Sequence, residues 1–387
     1  MLVQFKFTSL IFLMSISIVA IAEKIDVDTI DNTDYLLLAL TPLHQQAFRL
    51  GEGTNNYELD VIGQLTIRNT AQPEAVGDTR VAFWFLRNEN ISGKSASTFS
   101  AEAGLLWDTN TGDAPVASDV IGVLALQQMF LNNKVIASVG KLYPGSMLVE
   151  SDYSGDDRTA FFSQINADDA VGRYFDRIGL GASIQYFSDN WFASGVLTDA
   201  TAENDLIDFD TLSNGQFLYA IELGYTPLNE KGVSVFSLVP YYIDETENLS
   251  KEHGLATSFT HEFGNASNMA VFGRYTFRSG GDSKNIDGAQ EEKPLLNGGF
   301  FGLAWNNAFG YPKHQVAAQL MTGKPGSAKR AQGFNDQYGL EVFWKISSFP
   351  MFELTPDIQL LNNKDNELEI IAGFRAKLFW FRRAEST

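Results

Sequence analysis

The chain contains no cysteine, which excludes a disulfide framework, a thiolate-ligated zinc or iron–sulfur site, a cysteine nucleophile and a lipid-modified N-terminal cysteine. Histidine is scarce. His44, His253, His261 and His314 fall in none of the close spacings a zinc hydrolase uses, so no metal and no cofactor is expected. No Ser stands two residues from any of them, the next place on the same strand face, so the serine–histidine pair of a barrel lipase finds no support and the chain reads as a non-enzyme. Basic residues are few as well. With 28 Lys and Arg against 47 Asp and Glu, the formal charge is −19, which argues against nucleic acid and broad anionic surfaces as partners. Long apolar runs are missing too. Beyond the N-terminus the densest, Leu36 to Leu40, is closed by Pro42, far short of the roughly 20 residues a spanning helix needs.

What the chain does have is aromatic and apolar weight, with 30 Phe, 13 Tyr and 6 Trp at 44% hydrophobic residues, too much for disorder. Lys6 precedes an apolar run from Leu10 to Ala22 that ends in Ala20-Ile21-Ala22, the small-x-small pattern of signal-peptidase cleavage. The chain is therefore expected to be exported.

From Tyr57 onward one kind of segment recurs, with apolar or aromatic residues at every second position between Gly, Asn, Asp or Pro turns. Leu59, Val61, Gly63, Leu65 and Ile67 oppose Asp60, Gln64, Thr66 and Arg68. Phe99, Ala101, Ala103, Leu105 and Trp107 oppose Ser100, Glu102 and Asp108, which predicts a strand over Thr98 to Asp108. The same alternation runs through Phe217 to Tyr225, Met269 to Phe277, Tyr338 to Ile346 and Leu368 to Trp380. Such segments are longer than the 5–6 residues usual in soluble sheets, and Trp107, Tyr225 and Trp380 sit at the ends of apolar faces, as interfacial girdles require.

Counting them gives about 16, with long polar connections (200–215, 279–297, 323–336) set against tight ones (188–190, 362–365). The predicted fold class is all-β, a transmembrane antiparallel β-barrel of about 16 strands in the outer membrane of a Gram-negative bacterium. Its parts are a signal peptide (1–22), an N-terminal periplasmic segment (23–56), the barrel (57–381) and a C-terminal tail (382–387). Within 23–56, Thr33 to Leu50 has room for a short amphipathic helix, and nothing there is large enough for a plug domain, so no energy coupling is expected. Backbone groups cannot stay unpaired in hydrocarbon, so the first and last strands must pair, with Glu367 to Phe381 as the closing strand.

Charges fall on the faces opposite the apolar ones: Arg68, Glu102, Asp108, Arg177, Glu222, Arg274, Arg278, Glu341 and Arg375. A charge facing lipid near the midplane costs about 2–4 kcal/mol, so parity assigns these to the lumen, where Arg and carboxylates together can bind a hydroxylated solute. Trp84 shares the parity of Arg80 and offers a ring for a sugar to stack on.

These residues resemble the carbohydrate-selective porins of the glucose-porin type. The match runs from about Val135 to Phe379 and rests on 139-VGKLY-143, 179-GLGASIQY-186 followed by Asn190-Trp191, 222-ELGYTPL-228, 271-VFGRY-275, 301-FGLAW-305 and 353-ELTPDIQL-360. The resemblance implies a 16-stranded outer-membrane barrel that passes mono- and disaccharides passively through a pore narrowed by Arg balanced with acids. One departure is that Phe381 is followed by Arg382-Arg383-Ala384-Glu385-Ser386-Thr387, where such barrels usually stop at the aromatic. Expected partners are sugars or similar small polar solutes and outer-membrane lipids, with homo-oligomer and monomer both open. Rival readings are a porin for small organic acids or other small solutes, and a non-conducting barrel enzyme or structural surface barrel.

Overall fold

The computed structural model describes residues 35–67, 76–91, 94–111, 118–148, 153–155, 160–167, 169–175, 177–202, 211–229, 232–263, 268–284, 292–349 and 351–383. The expected signal peptide, Arg68 and the last residues of the tail lie outside them. No helix among the described residues is long and apolar enough to cross a membrane.

Sixteen strands form one closed antiparallel barrel. The first half comprises β1 (Tyr35–Ala47), β2 (Glu52–Ile67), β3 (Val76–Asn90), β4 (Ser118–Phe130), β5 (Val135–Leu142), β6 (Gly179–Phe187), β7 (Trp191–Asp199) and β8 (Phe217–Tyr225). The second comprises β9 (Gly232–Ile243), β10 (Glu252–Phe263), β11 (Met269–Gly280), β12 (Leu295–Asn306), β13 (Gln315–Pro325), β14 (Gln337–Phe349), β15 (Phe352–Asn362) and β16 (Leu368–Arg383). A two-residue extension beyond β8, Leu228–Asn229, pairs with the start of β9.

Each strand pairs with its sequence neighbours, and β1 pairs with β16 from Tyr35↔Arg383 to Ala47↔Ile371. Closure leaves no edge, which matters because each unpaired backbone group in hydrocarbon costs several kcal/mol. The β1–β16 ladder skips Thr41 and Pro42, so the residue without an N–H falls at the gap.

This corrects the N-terminal assignment. Among the described residues the barrel begins at Tyr35, not Tyr57, and Tyr35–Ala47, within the stretch with room for a helix, is strand. The cause is visible in the composition of β1, where Leu36, Leu37, Leu38 and Leu40 occupy both faces and erase the alternation. At the other end β16 runs past Phe381, whose ring stacks on Tyr35 at 6.0 Å, and takes Arg382 and Arg383 out of the expected tail.

Parity elsewhere falls as expected. On β8, Tyr219, Ile221 and Leu223 are exposed outside while Leu218, Ala220 and Glu222 are buried inside. Tyr275 and Phe277 face outward on β11, with Arg274, Thr276 and Arg278 inside. Tyr338 and Trp344 on β14, and Leu368 and Phe374 on β16, are outside, and Glu341, Glu369 and Arg375 are inside. Aromatic pairs mark the rim near the chain termini, Trp191 with Tyr225 at 4.4 Å and Phe309 with Trp344 at 5.5 Å.

The two ends differ. Tight connections such as 131–134 and 188–190 share the end of the chain termini, and long ones (91–117, 143–178, 200–216, 281–294) occupy the other. The tight turn at 363–367 belongs to the long-loop end, so tightness alone does not assign a side. Because the chain has no cysteine, parity is directly testable: Ile221→Cys and Leu320→Cys should react with a membrane-soluble maleimide and resist a charged aqueous one. Labelling by the aqueous reagent at either site would overturn the inside–outside assignment.

Candidate functional site

Two connections fold back into the lumen. In the first, Ser95 caps α1 (Ala96–Glu102), its Oγ accepting from Thr98 N at 3.1 Å. The chain then turns at Gly104, whose φ of 75° suits glycine, and buries Leu105, Leu106 and Trp107. The second connection, 143–178, carries a short helix, α2 (Gln164–Ala167), and buries Phe161, Phe162, Tyr174 and Phe175. The two meet where Gln164 N donates to Asp108 O at 2.9 Å and Asp108 N to Gln164 Oε1 at 3.3 Å.

Apolar side chains of both share a cluster inside the barrel, Phe99, Trp107 and Phe161 packing with wall residues Phe272, Phe300 and Phe343, while Tyr174 and Phe175 join a second with Leu218, Val239 and Tyr241. Each large side chain so buried contributes about 1.5–3 kcal/mol. This corrects the strand expected over Thr98 to Asp108, which is helix followed by buried irregular chain, and moves Trp107 from a membrane interface to the lumen. Phe99, Ala103 and Leu106 also repeat at helical spacing, and burial inside the barrel decided between the two periods.

Backbone carried into the lumen must be met by hydrogen bonds. Amides of the wall hold the first segment. Gln45 Nε2 and Gln359 Nε2 donate to Thr109 O at 3.0 and 2.9 Å, while Gln337 accepts from Leu106 N at 2.7 Å and donates to Gly104 O at 2.9 Å.

Charged groups hold the second. Arg375 Nη2 donates to Ala160 O at 2.9 Å with its guanidinium 4.5 Å above the Phe162 ring. Glu341 Oε1 accepts from Phe162 N at 2.6 Å and Ser163 N at 3.3 Å, and its Oε2 from Gln319 at 2.8 Å. Arg274 Nη2 donates to Asn166 O at 2.6 Å and Ile165 O at 3.3 Å, between the rings of Phe175 and Phe300.

A salt bridge from Arg173 Nε to Glu252 Oε2 at 2.9 Å, with both side chains at most 1% exposed, ties the segment to β10. Asp169 accepts from Val171 N, Gly172 N, Tyr174 Oη and Thr276 Oγ1 at 2.8–3.1 Å. Burial, reinforced by Asp169, pushes the Tyr174 hydroxyl well above the usual phenol range, so it stays a donor.

Nearer the long-loop rim, Arg278 donates to Leu295 O at 2.8 Å and Lys293 O at 3.1 Å and reaches Glu292 at 3.4 Å. Burial raises the Glu292 carboxyl, but N–H donors from Ser283 and Ala328, the Ser327 hydroxyl and Arg278 outweigh it and leave it below the usual range.

The sequence-predicted residues thus separate. Arg274, Arg278, Glu341 and Arg375 point inward but are sealed, at most 3% exposed, binding backbone and neighbouring side chains. Trp84 faces inward, donates Nε1–H to Asp60 at 2.8 Å and packs on Tyr143 at 5.3 Å. Glu102 is an exposed helix residue paired with Lys94 at 2.6 Å, and Asp108 belongs to the infolded segment, so neither lies on a barrel strand. Arg177 is half-buried, two residues before β6. Glu222 lies on the inner face of β8, lining a lumen cavity of about 250 Å³.

Arg173, Asp169 and Glu252 escaped sequence reasoning. The first two stand in a connection with no periodic signal, and the third is at the first residue of its strand. Arg375→Ala or Glu341→Ala should destabilise the barrel by about 1–3 kcal/mol, since each leaves buried backbone groups unmet, and should raise single-channel conductance as the segment leaves the lumen. Unchanged conductance in a folded variant would contradict the anchoring role.

No family model and no curated relative matches the chain. Solved structures share its fold. Pseudomonas putida OprB in its high-pH structure superposes with a TM-score of 0.71 at 11% identity, covering 90% of this chain and 94% of that one. The low-pH structure of the same protein gives 0.56 at 10% identity over 90% and 93%. A chain solved in work on the asymmetric conductivity of engineered proteins gives 0.52 at 12% identity over 90% and 100%. At these identities the likeness establishes the fold: this chain has the closed barrel architecture of those proteins.

Proposed function

We propose that the chain is an outer-membrane porin through which small neutral carbohydrates diffuse passively. The observation that carries this reading is a closed barrel, apolar outside, whose polar lumen is narrowed by two segments fixed to its wall. Such an assembly selects by width and hydrogen bonding and requires no cofactor. The barrel architecture shared with OprB supports a channel, and the resemblance of the sequence to carbohydrate-selective porins points to sugars as the solute class.

The state of four lumen guanidinium groups among the described residues favours neutral solutes over organic acids. An anion pathway needs Arg facing water, whereas Arg173, Arg274, Arg278 and Arg375 are each buried with backbone carbonyls or a carboxylate as partners. They organise the lumen more than they charge it.

Swelling of liposomes containing refolded protein tests the proposal. Glucose and a disaccharide should enter faster than an amino acid or a monocarboxylate of comparable size. Equal rates would indicate an unselective pore, and no swelling with any solute would refute the channel.

A further inference from the structure

Below the second infolded segment, on the side of the chain termini, the lumen wall carries a cavity of about 250 Å³. Strand register builds it in two adjoining rows. One aligns Gln185, Ser194 and Glu222 across β6, β7 and β8. The other aligns Phe187, Phe192 and Gly224 across the same strands and continues through Ser237 to Ser258 on β9 and β10.

Gly224 is what lets the second row lie flat. A Cβ there would stand 1.8 Å from the Phe192 ring, so the ring rests directly on the β8 backbone. Phe187 beside it is 40% exposed on the cavity wall, an unusual place for a large apolar ring in a polar lumen. Ser237 and Ser258 hydroxyls are linked at 2.9 Å, and Thr260 joins them on β10. Ser146 and Met147, from the start of the second infolded connection, close the cavity from above.

We infer that this cavity is a binding subsite for a neutral polyhydroxylated ring, occupied by solute on the chain-terminal side of the constriction. The inference rests on the porin reading and specifies where and how that solute is held. A pyranose-like ring has one weakly polar face and an edge of adjacent hydroxyls that each donate and accept. The Phe187–Phe192 surface meets the face. Serine, threonine and glutamine side chains match the edge in both senses, and the Glu222 carboxylate adds acceptor capacity beside its own protein contacts. Among the described residues that line the cavity there is no Arg or Lys and one carboxylate, Glu222.

The test is glucose titration of ion current through single channels in planar bilayers, beside liposome swelling with the same variants. Glucose should interrupt the wild-type current saturably. Glu222→Gln and Phe192→Leu should each raise the half-saturating concentration about tenfold, the loss expected when charge-assisted hydrogen bonds or an aromatic platform are removed. Thr260→Val, a near-isosteric change, should raise it less and guards against misfolding of the other two. Saturable interruption with unchanged half-saturation in all three variants would overturn the subsite while leaving the porin reading intact. Tighter interruption by glucosamine than by glucose would also overturn it, assigning Glu222 to cationic amines. Failure of every neutral sugar to swell liposomes would refute the porin reading itself.

Discussion

A backbone amide or carbonyl has no partner in hydrocarbon, and the rest of the structure follows from that constraint. It forces sixteen strands to close, sets β1 against β16 and places Pro42 at a gap in their ladder. It also favours the lumen for strand charges such as Arg274, Glu341 and Arg375, which find their partners there. Closure then poses a second problem. A barrel of this strand number encloses far more space than wall side chains fill, and the chain fills part of it with its own connections.

Chain brought into the lumen obeys the same rule as chain in the wall. Its carbonyls and N–H groups need partners, and the wall supplies them by two chemistries. Gln45, Gln337 and Gln359 meet the first segment with neutral amides that both donate and accept. Arg274, Glu341 and Arg375 meet the second with charge-assisted bonds, aided by aromatic rings beneath two of the guanidinium groups. Apolar burial of residues such as Trp107 and Phe161 supplies attraction, and the polar contacts supply position. On the long-loop half of β7 to β10 the second segment packs too, Tyr174 and Phe175 clustering with Leu218, Val239 and Tyr241, and the cavity lies on the half nearer the chain termini.

Much of this was legible in the sequence where one face meets lipid and the other water. β8, β11, β14 and β16 alternate cleanly, so their inward charges were named correctly from parity. Legibility failed where both faces are apolar, as in β1, whose leucines hide its period. It failed again at Phe99 to Trp107, where the spacing fits strand and helix alike and only the surrounding barrel decides. The roles of the inward charges were beyond reach for a different reason. Arg274 and Arg375 look like pore lining until Asn166 and Ala160, far away in the chain, bring carbonyls to them. Arg173 and Glu252 carried no signal, because their pairing exists only after the connection folds inward.

The central claim is that a connection between two strands is held inside the barrel as firmly as the wall itself. Hydrogen exchange of the detergent-solubilised protein tests it most directly. Amides of Phe162, Ser163 and Leu106, bonded to Glu341 and Gln337, should exchange as slowly as those in the β14 ladder. Exchange at the rate of the exposed turn at 188–190 would contradict the claim and return the segment to solvent.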